Sequence, residues 1–330
     1  MSWNKAEERG TEFGLRLMLA CLRLFGVRFT RLMSEPPILY YFLFSRGARR
    51  ASRDYLRHMA ATPAGRKALG REPNAWTSLQ QFRAFGHGMV DRAAFWAGMG
   101  GRYSVDFQKR QMLLDMFEKR RGAILLGAHL GSIEVLRALV TDKSTPVNIL
   151  VYRNNALKFN AALRAIDPSL ELRAIHIEMG SIQFILDLQA AVARGELVAI
   201  LGDRAELGGE KRTGRCEFLG QEADFPLGPL LIAHLVECPV FLMFALKRGP
   251  FSYEVCLESF AERILLDRKR REQDLKDWLG RYVQRLEAHC LSAPLQWFNF
   301  YDFWRGPKVD ATAGDTPRGT APPKGEHGPG

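Results

Sequence analysis

In "GAHLGSIEVL" (127–136) a histidine stands between two glycines, and a glutamate follows five residues later. This is the combination in the chain best suited to moving a proton. Imidazole is the side chain whose ordinary pKa lies nearest neutrality. A carboxylate on one ring nitrogen fixes the tautomer and supports the imidazolium, leaving the other nitrogen to take a proton from a hydroxyl. On one continuous helix His129 and Glu134 would stand about 140° apart and would not meet. With His129 in the turn and Ser132 as N-cap, Glu134 falls in the first helical turn, where the dipole favours a carboxylate. The plain alternative is a histidine that satisfies backbone groups at a strand end.

Two other chemistries fail on the same residues. A dinucleotide turn of the form G-x-G-x-x-G needs glycine where pyrophosphate approaches, but Gly127 and Gly131 are four apart with His129 between them. The next strand also ends in Arg153 rather than in an acidic ribose ligand. A nucleophile elbow, G-x-S-x-G, would put its serine where His129 stands, and Ser132 comes one residue too late. His234 and Cys238 share a helix face at i, i+4, but no second ligand pair accompanies them, so neither a metal nor another cofactor is expected. The five cysteines are scattered without a CxxC pair and read as reduced core thiols.

The elements that must carry these residues alternate. "GAILLGA" (122–128), "VNILVYR" (147–153), "LELRAIHI" (170–177) and "ELVAILGD" (196–203) are strand-like, with helical patterns at 132–142, 154–166 and 181–194. That order predicts an α/β fold with a largely parallel central sheet flanked by helices. In such sheets ligands bind outside the carboxyl ends of the strands. His129, Arg153 and the pair Asp203-Arg204 each follow a strand, and together they outline a site. The glycine-rich basic stretch "ELGGEKRTGR" (206–215) breaks the alternation as a loop. Its Lys211, Arg212 and Arg215, with Arg204, are candidates for binding phosphate or are simply solvated. Further on, a short helix around 228–237, a hairpin of 240–248 with 252–259, and a helix over 272–291 are expected. That last helix puts Leu275, Trp278, Leu279, Tyr282, Val283 and Leu286 on one face toward the sheet. Residues 1–120 read as mainly helical, with turns near Gly65, Gly70 and "GMGGR" (98–102). Residues 306–330, with six Gly and five Pro, read as disordered.

A formal charge of +11 favours anionic partners. Acidic residues Glu7, Glu8 and Glu12 argue against a signal peptide. In "FGLRLMLACLRLFGVRFTRLM" (13–33) fourteen of twenty-one residues are apolar, while Arg16, Arg23, Arg28 and Arg31 keep any uncharged run short of a span. On a helical wheel these arginines occupy one arc, the pattern of an interfacial helix. Next come the aromatic "PPILYYFLFS" (36–45) and then Arg46, Arg49, Arg50, Arg53 and Arg57. Residues 1–60 are therefore expected to associate with an anionic membrane surface, ahead of an α/β domain over 61–305. Nucleic acid is not an expected partner, because the aromatics cluster with apolar residues rather than with basic loops.

These residues resemble the lysophospholipid acyltransferase superfamily, and within it the bacterial lipid A biosynthesis acyltransferases. "GAHLGSIEVL" is similar to the family's H-x4-D/E motif, "VYRNN" (151–155) to its arginine motif, and "LGDRAELGG" (201–209) to its Asp-centred block. "CEFLGQEADFPLGPLLIAHLVECPV" (216–240) resembles the F-x-G, proline-glycine and Ala-x-Pro-Val blocks, and "PLQWFNFYDFW" (294–304) the Gln-Trp-hydrophobic ending. The ending is closer to a branch of predicted acyltransferases associated with aryl polyene and other glycolipids. The resemblance covers roughly residues 1–305. It implies transfer of a fatty acyl group from acyl carrier protein or acyl-coenzyme A to a hydroxyl of a membrane glycolipid or lysolipid, at the cytoplasmic face of a bacterial inner membrane. It implies that His129 is the general base, with Glu134 as its partner. Backbone amides near Gly131, or Arg153, would hold the oxyanion. Arg153, Asp203, Arg204, Lys211, Arg212 and Arg215 would bind substrate. The alternative is a non-catalytic lipid- or acyl-carrier-binding protein of the same fold.

Overall fold

The computed structural model describes residues 3–107, 109–132, 147–151, 174–176, 182–204 and 212–305. Four helices come first: α1 (Trp3–Phe44), α2 (Arg46–Ala61), α3 (Pro63–Leu69) and α4 (Ala75–Trp96). After β1 (Ser104–Asp106) and α5 (Arg110–Glu118) come β2 (Ala123–Gly127), β3 (Val147–Val151), β4 (Ala174–His176), α6 (Ile182–Ala193) and β5 (Leu197–Leu201). A hairpin of β6 (Thr213–Phe218) and β7 (Gln221–Pro226) precedes α7 (Gly228–Val236), β8 (Val240–Gly249), β9 (Ser252–Ala261) and α8 (Arg271–Ser292).

Seven strands form one sheet in the order β1-β9-β8-β2-β5-β3-β4. All neighbours are parallel except β8 and β9, which pair as the expected antiparallel hairpin. The protein is thus α/β with a mostly parallel mixed sheet flanked by helices. Strand β2 is apolar throughout because both of its faces are covered. Ile124 and Leu126 enter one core with α2, α6, α7 and α8, whereas Ala123 and Leu125 enter a second with α1, α4 and α5. The face predicted for α8 is buried as expected except at Trp278, which is half-buried, and the Tyr282 hydroxyl donates to the Gly127 carbonyl at the end of β2 (2.9 Å).

Three features depart from expectation. First, the stretch 206–215 is not loop to its end, since Thr213–Arg215 open β6, which pairs with β7 through a two-residue turn. Leu219 and Gly220 both take positive φ there (54° and 78°), the geometry that lets a two-residue hairpin follow the strand twist. Second, Gly65 is helical rather than a turn. A Cβ there would sit 1.9 Å from the Met59 carbonyl, so glycine is kept for close packing. Third, α1 is broken at Gly26 (φ 78°, ψ 178°), a conformation essentially confined to glycine.

The break matters for charge. One helical wheel cannot run through residue 26, and Arg31 leaves the basic arc to turn inward. It donates to the buried carboxylate of Asp91 on α4, which also accepts from Lys247 Nζ (2.5 Å) and the hydroxyls of Tyr103 (3.0 Å) and Tyr253 (2.6 Å). A buried carboxylate needs such partners. They tie α1 and α4 to β8 and β9. Leu19, Leu22 and Val27 of α1 belong to the same core as the sheet.

What α1 leaves outside is apolar. Eleven of the sixteen exposed large hydrophobic residues among the described ones lie between Leu17 and Phe44, including Leu24, Phe25, Leu32, Tyr40 and Phe44. Directly after them Arg46, Arg50, Arg53 and Arg57 lie exposed on the outer face of α2, whose inner face is buried. Among the described residues no helix is long and apolar enough to cross a membrane.

Candidate active site

Strands β2 and β5 are parallel neighbours with Gly127 opposite Leu201, so residues two beyond each strand end also come side by side. Those residues are His129 and Asp203. The Gly202 amide donates to the Gly127 carbonyl (3.0 Å) and carries the alignment past the last strand residues. Asp203 is fully buried, and its two oxygens accept four hydrogen bonds. Oδ1 accepts from Nδ1 of His129 (2.9 Å). Oδ2 accepts from the His129 amide (3.0 Å), Trp297 Nε1 (2.8 Å) and Asn299 Nδ2 (3.1 Å). Burial alone would push the Asp203 carboxyl up, but the charge of His129 and these hydrogen bonds outweigh it and hold the group below its ordinary pKa.

An ionised acceptor at Nδ1 requires that nitrogen to carry the proton, so the neutral ring has its lone pair on Nε2. The His129 side chain is 30 % exposed, and Nε2 makes no hydrogen bond to a described residue. A buried carboxylate on Nδ1 of a partly exposed ring, itself held by further donors, is an arrangement that can support a general base.

The C-terminal segment closes this site. Leu130 and Trp297 form an antiparallel bridge, the Phe298 amide donates to the His129 carbonyl (2.8 Å), and the Gly131 amide donates to the Gln296 carbonyl (2.9 Å). The side chain of Gln296 pairs with both backbone groups of Lys247 on β8. From the helical side, Gln81 on α4 donates to the Trp297 carbonyl (2.7 Å), and Ser52 on α2 holds Gln81 in turn (2.7 Å). Trp297 itself is fully buried among Tyr55, Phe218, Phe303 and Trp304.

The residues expected at the site divide unevenly. His129, Asp203 and Arg204 come together, and Arg204 donates to Asn299 Oδ1 through Nε (3.2 Å) and Nη2 (3.0 Å). Asp203, expected to touch substrate, is instead sealed beneath His129, because the strand register delivers it there. Gly131 is at the site, but its amide is spent on Gln296 and is not a free oxyanion donor. Its positive φ (74°) and the 2.0 Å that would separate an added Cβ from the Ala245 carbonyl explain the glycine. Arg215 lies on the outer face of the β6–β7 hairpin beside Glu222 (3.9 Å) and Asp224 (4.0 Å), and Arg212 is exposed just before it. Glu134, Arg153, Lys211 and the tail 306–330 lie outside the described residues, as does the helix that Ser132 would cap.

No family model and no curated protein matches this chain. Trp297 and Asn299 stand in the C-terminal stretch quoted above, but nothing in the sequence marks them as partners of Asp203. The usable signal was the equal two-residue offset of His129 and Asp203 from their strands, which means something only once β2 and β5 are known to be neighbours.

Proposed function

We propose that the protein is an O-acyltransferase that moves a fatty acyl group from a thioester, on acyl carrier protein or coenzyme A, to a hydroxyl of a membrane glycolipid or lysolipid. The observation that carries the reading is the buried Asp203 locked on Nδ1 of the partly exposed His129 at the carboxyl ends of β2 and β5, with Nε2 making no hydrogen bond to a described residue. The five-block resemblance selects acyl transfer from among the reactions a histidine base can serve. In this reaction Nε2 takes the proton of the acceptor hydroxyl as its oxygen attacks the thioester carbonyl. The tetrahedral intermediate collapses with cleavage of the carbon–sulfur bond, and the thiol leaves with the proton held on Nε2. Asp203 stabilises the imidazolium between the two transfers. No acyl-enzyme is involved.

Arg204, linked to His129 through Asn299 and Asp203 and only partly buried, is suited to an anionic group of donor or acceptor. The exposed apolar residues of α1 and the arginine face of α2 suit a peripheral or monotopic position on an anionic leaflet, which would bring a lipid hydroxyl to the enzyme.

The test is thioester consumption by the purified protein with acyl carrier protein or coenzyme A donors and a bacterial membrane lipid extract, read by mass spectrometry of the lipids. A new acyl species is expected with wild type and none with His129→Ala. Lipid binding without thioester loss would establish the non-catalytic lipid-binding alternative instead.

A further inference from the structure

Asn299 stands in the middle of a chain of hydrogen bonds that runs from Arg204 through Asn299 and Asp203 to His129. Its Oδ1 accepts from Arg204 Nε (3.2 Å) and Nη2 (3.0 Å), its Nδ2 donates to Asp203 Oδ2 (3.1 Å), and Asp203 Oδ1 meets His129 Nδ1 (2.9 Å). The inner members, Asn299 and Asp203, are buried, while both ends, Arg204 and His129, are only partly so. A guanidinium only donates and a carboxylate only accepts, so one orientation of the amide satisfies both neighbours. The Arg204 guanidinium also lies over the Tyr301 ring (5.0 Å), which sets its plane.

We propose that Asn299 is a positioning residue that couples a phosphate group bound at Arg204 to the hold of Asp203 on His129. Without phosphate, the cation on Oδ1 polarises the amide, and its Nδ2–H draws charge from Asp203. A phosphate at the outer edge of Arg204 neutralises the guanidinium and weakens that draw. Asp203 then keeps more negative charge for the imidazolium that forms at His129, so the base is strongest when the anionic end of a substrate is docked. The coupling takes from the proposed function only that Arg204 faces an anionic substrate.

The experiment is an NMR titration of protein labelled with ¹⁵N at histidine and arginine, with inorganic phosphate as the probe. In wild type the Arg204 Nε–H and the His129 Nδ1–H resonances should move along one saturation curve, the latter downfield. In Asn299→Ala, Arg204 should still respond while the movement at His129 falls by about fivefold or more. Asn299→Leu keeps the volume of the side chain and removes both the acceptor for Arg204 and the donor to Asp203. It should uncouple the two ends in the same way, and it decides the matter if the alanine variant does not fold. In turnover, Asn299→Ala should lower kcat about tenfold with little change in KM, whereas Arg204→Gln should raise KM. Equal movement at His129 in both Asn299 variants, or no response of Arg204 in wild type, would overturn the proposal. Because the titration needs no acyl donor, intact coupling in a protein that turns over no thioester would remove the acyltransferase reading alone.

Discussion

At the scale of single residues, four hydrogen bonds on the two oxygens of Asp203 decide what each substitution does. Asp203→Asn offers an amide N–H where Nδ1–H needs an acceptor, or turns that N–H toward Trp297 and the His129 amide, which are donors too. Either way the ring loses the partner that keeps its lone pair on Nε2. We expect kcat to fall by roughly 10³-fold or more, with far-UV circular dichroism unchanged. Trp297→Phe keeps the ring in its aromatic cluster and removes one donor to Oδ2, so its cost in kcat should be about tenfold or less. A similar loss in both variants, measured as steady-state turnover, would place the importance of Asp203 in packing rather than in the charge it sets against His129. His129 was legible in the sequence as a candidate base at a strand end. The partner of its Nδ1 was not, because its neighbour is set by which strands pair.

At the scale of elements, the turn after β2 and the helices α1 and α2 each carry a prediction. Gly131 brings the turn against β8, and Gly131→Ala forces a Cβ onto the Ala245 carbonyl in a left-handed conformation. The chain must shift there, and His129 is two residues away. Loss of several kcal/mol of stability together with activity is expected from chemical denaturation and assay. On the outer surface, replacing Leu24, Phe25, Tyr40 and Phe44 by serine removes side chains with no partner in the core, so the melting temperature should hold. Sedimentation with vesicles containing phosphatidylglycerol should fall by about tenfold or more, as should that of a variant with Arg46, Arg50, Arg53 and Arg57 changed to glutamine, the latter with lost salt dependence. Undiminished binding in both variants would remove the membrane surface from the proposal. The apolar and basic composition of this region was legible in sequence. Its geometry was not, since Gly26 breaks the wheel and Asp91 draws Arg31 inward.

At the scale of the whole molecule, buried histidines and paired carboxylates tilt stability with pH in one direction. Burial holds the pKa of His58, His87 and His289 below the ordinary histidine value, against the opposing pull of nearby carboxylates. The unfolded chain therefore takes up these protons first, and stability falls as the pH drops below about 6.5. Glu258 is held low, first by the hydrogen bond from Arg285 and then by His289, against its burial. For Glu35 and Asp203 burial works upward and is outweighed, by Arg83 and His87 for the one and by His129 and its neighbours for the other. Stability from these carboxylates is complete above about pH 4.5 and is lost as the pH falls through their lowered folded-state values. The melting temperature should rise steadily from about pH 3 to about pH 6.5. His289→Phe should flatten the upper part of that rise, and a profile that declines over the same range would contradict the assignment.

The alternation of short apolar runs with helical patterns was enough to establish an α/β protein. It was enough because strand period and helix period are local properties, set by which side chains can be buried on one face. The apolar face of α8 and the β8–β9 hairpin followed from the same local rules, as did the choice of His129 as the candidate base. Strand order is not local. That β5 returns between β2 and β3, and so lays Asp203 beside His129, depends on contacts between residues some seventy positions apart. The same holds for Gln296, Trp297 and Asn299, which reach the site from the far end of the chain. Only the tertiary structure brings these buried polar groups together, because each is stable inside the protein only when the others satisfy it.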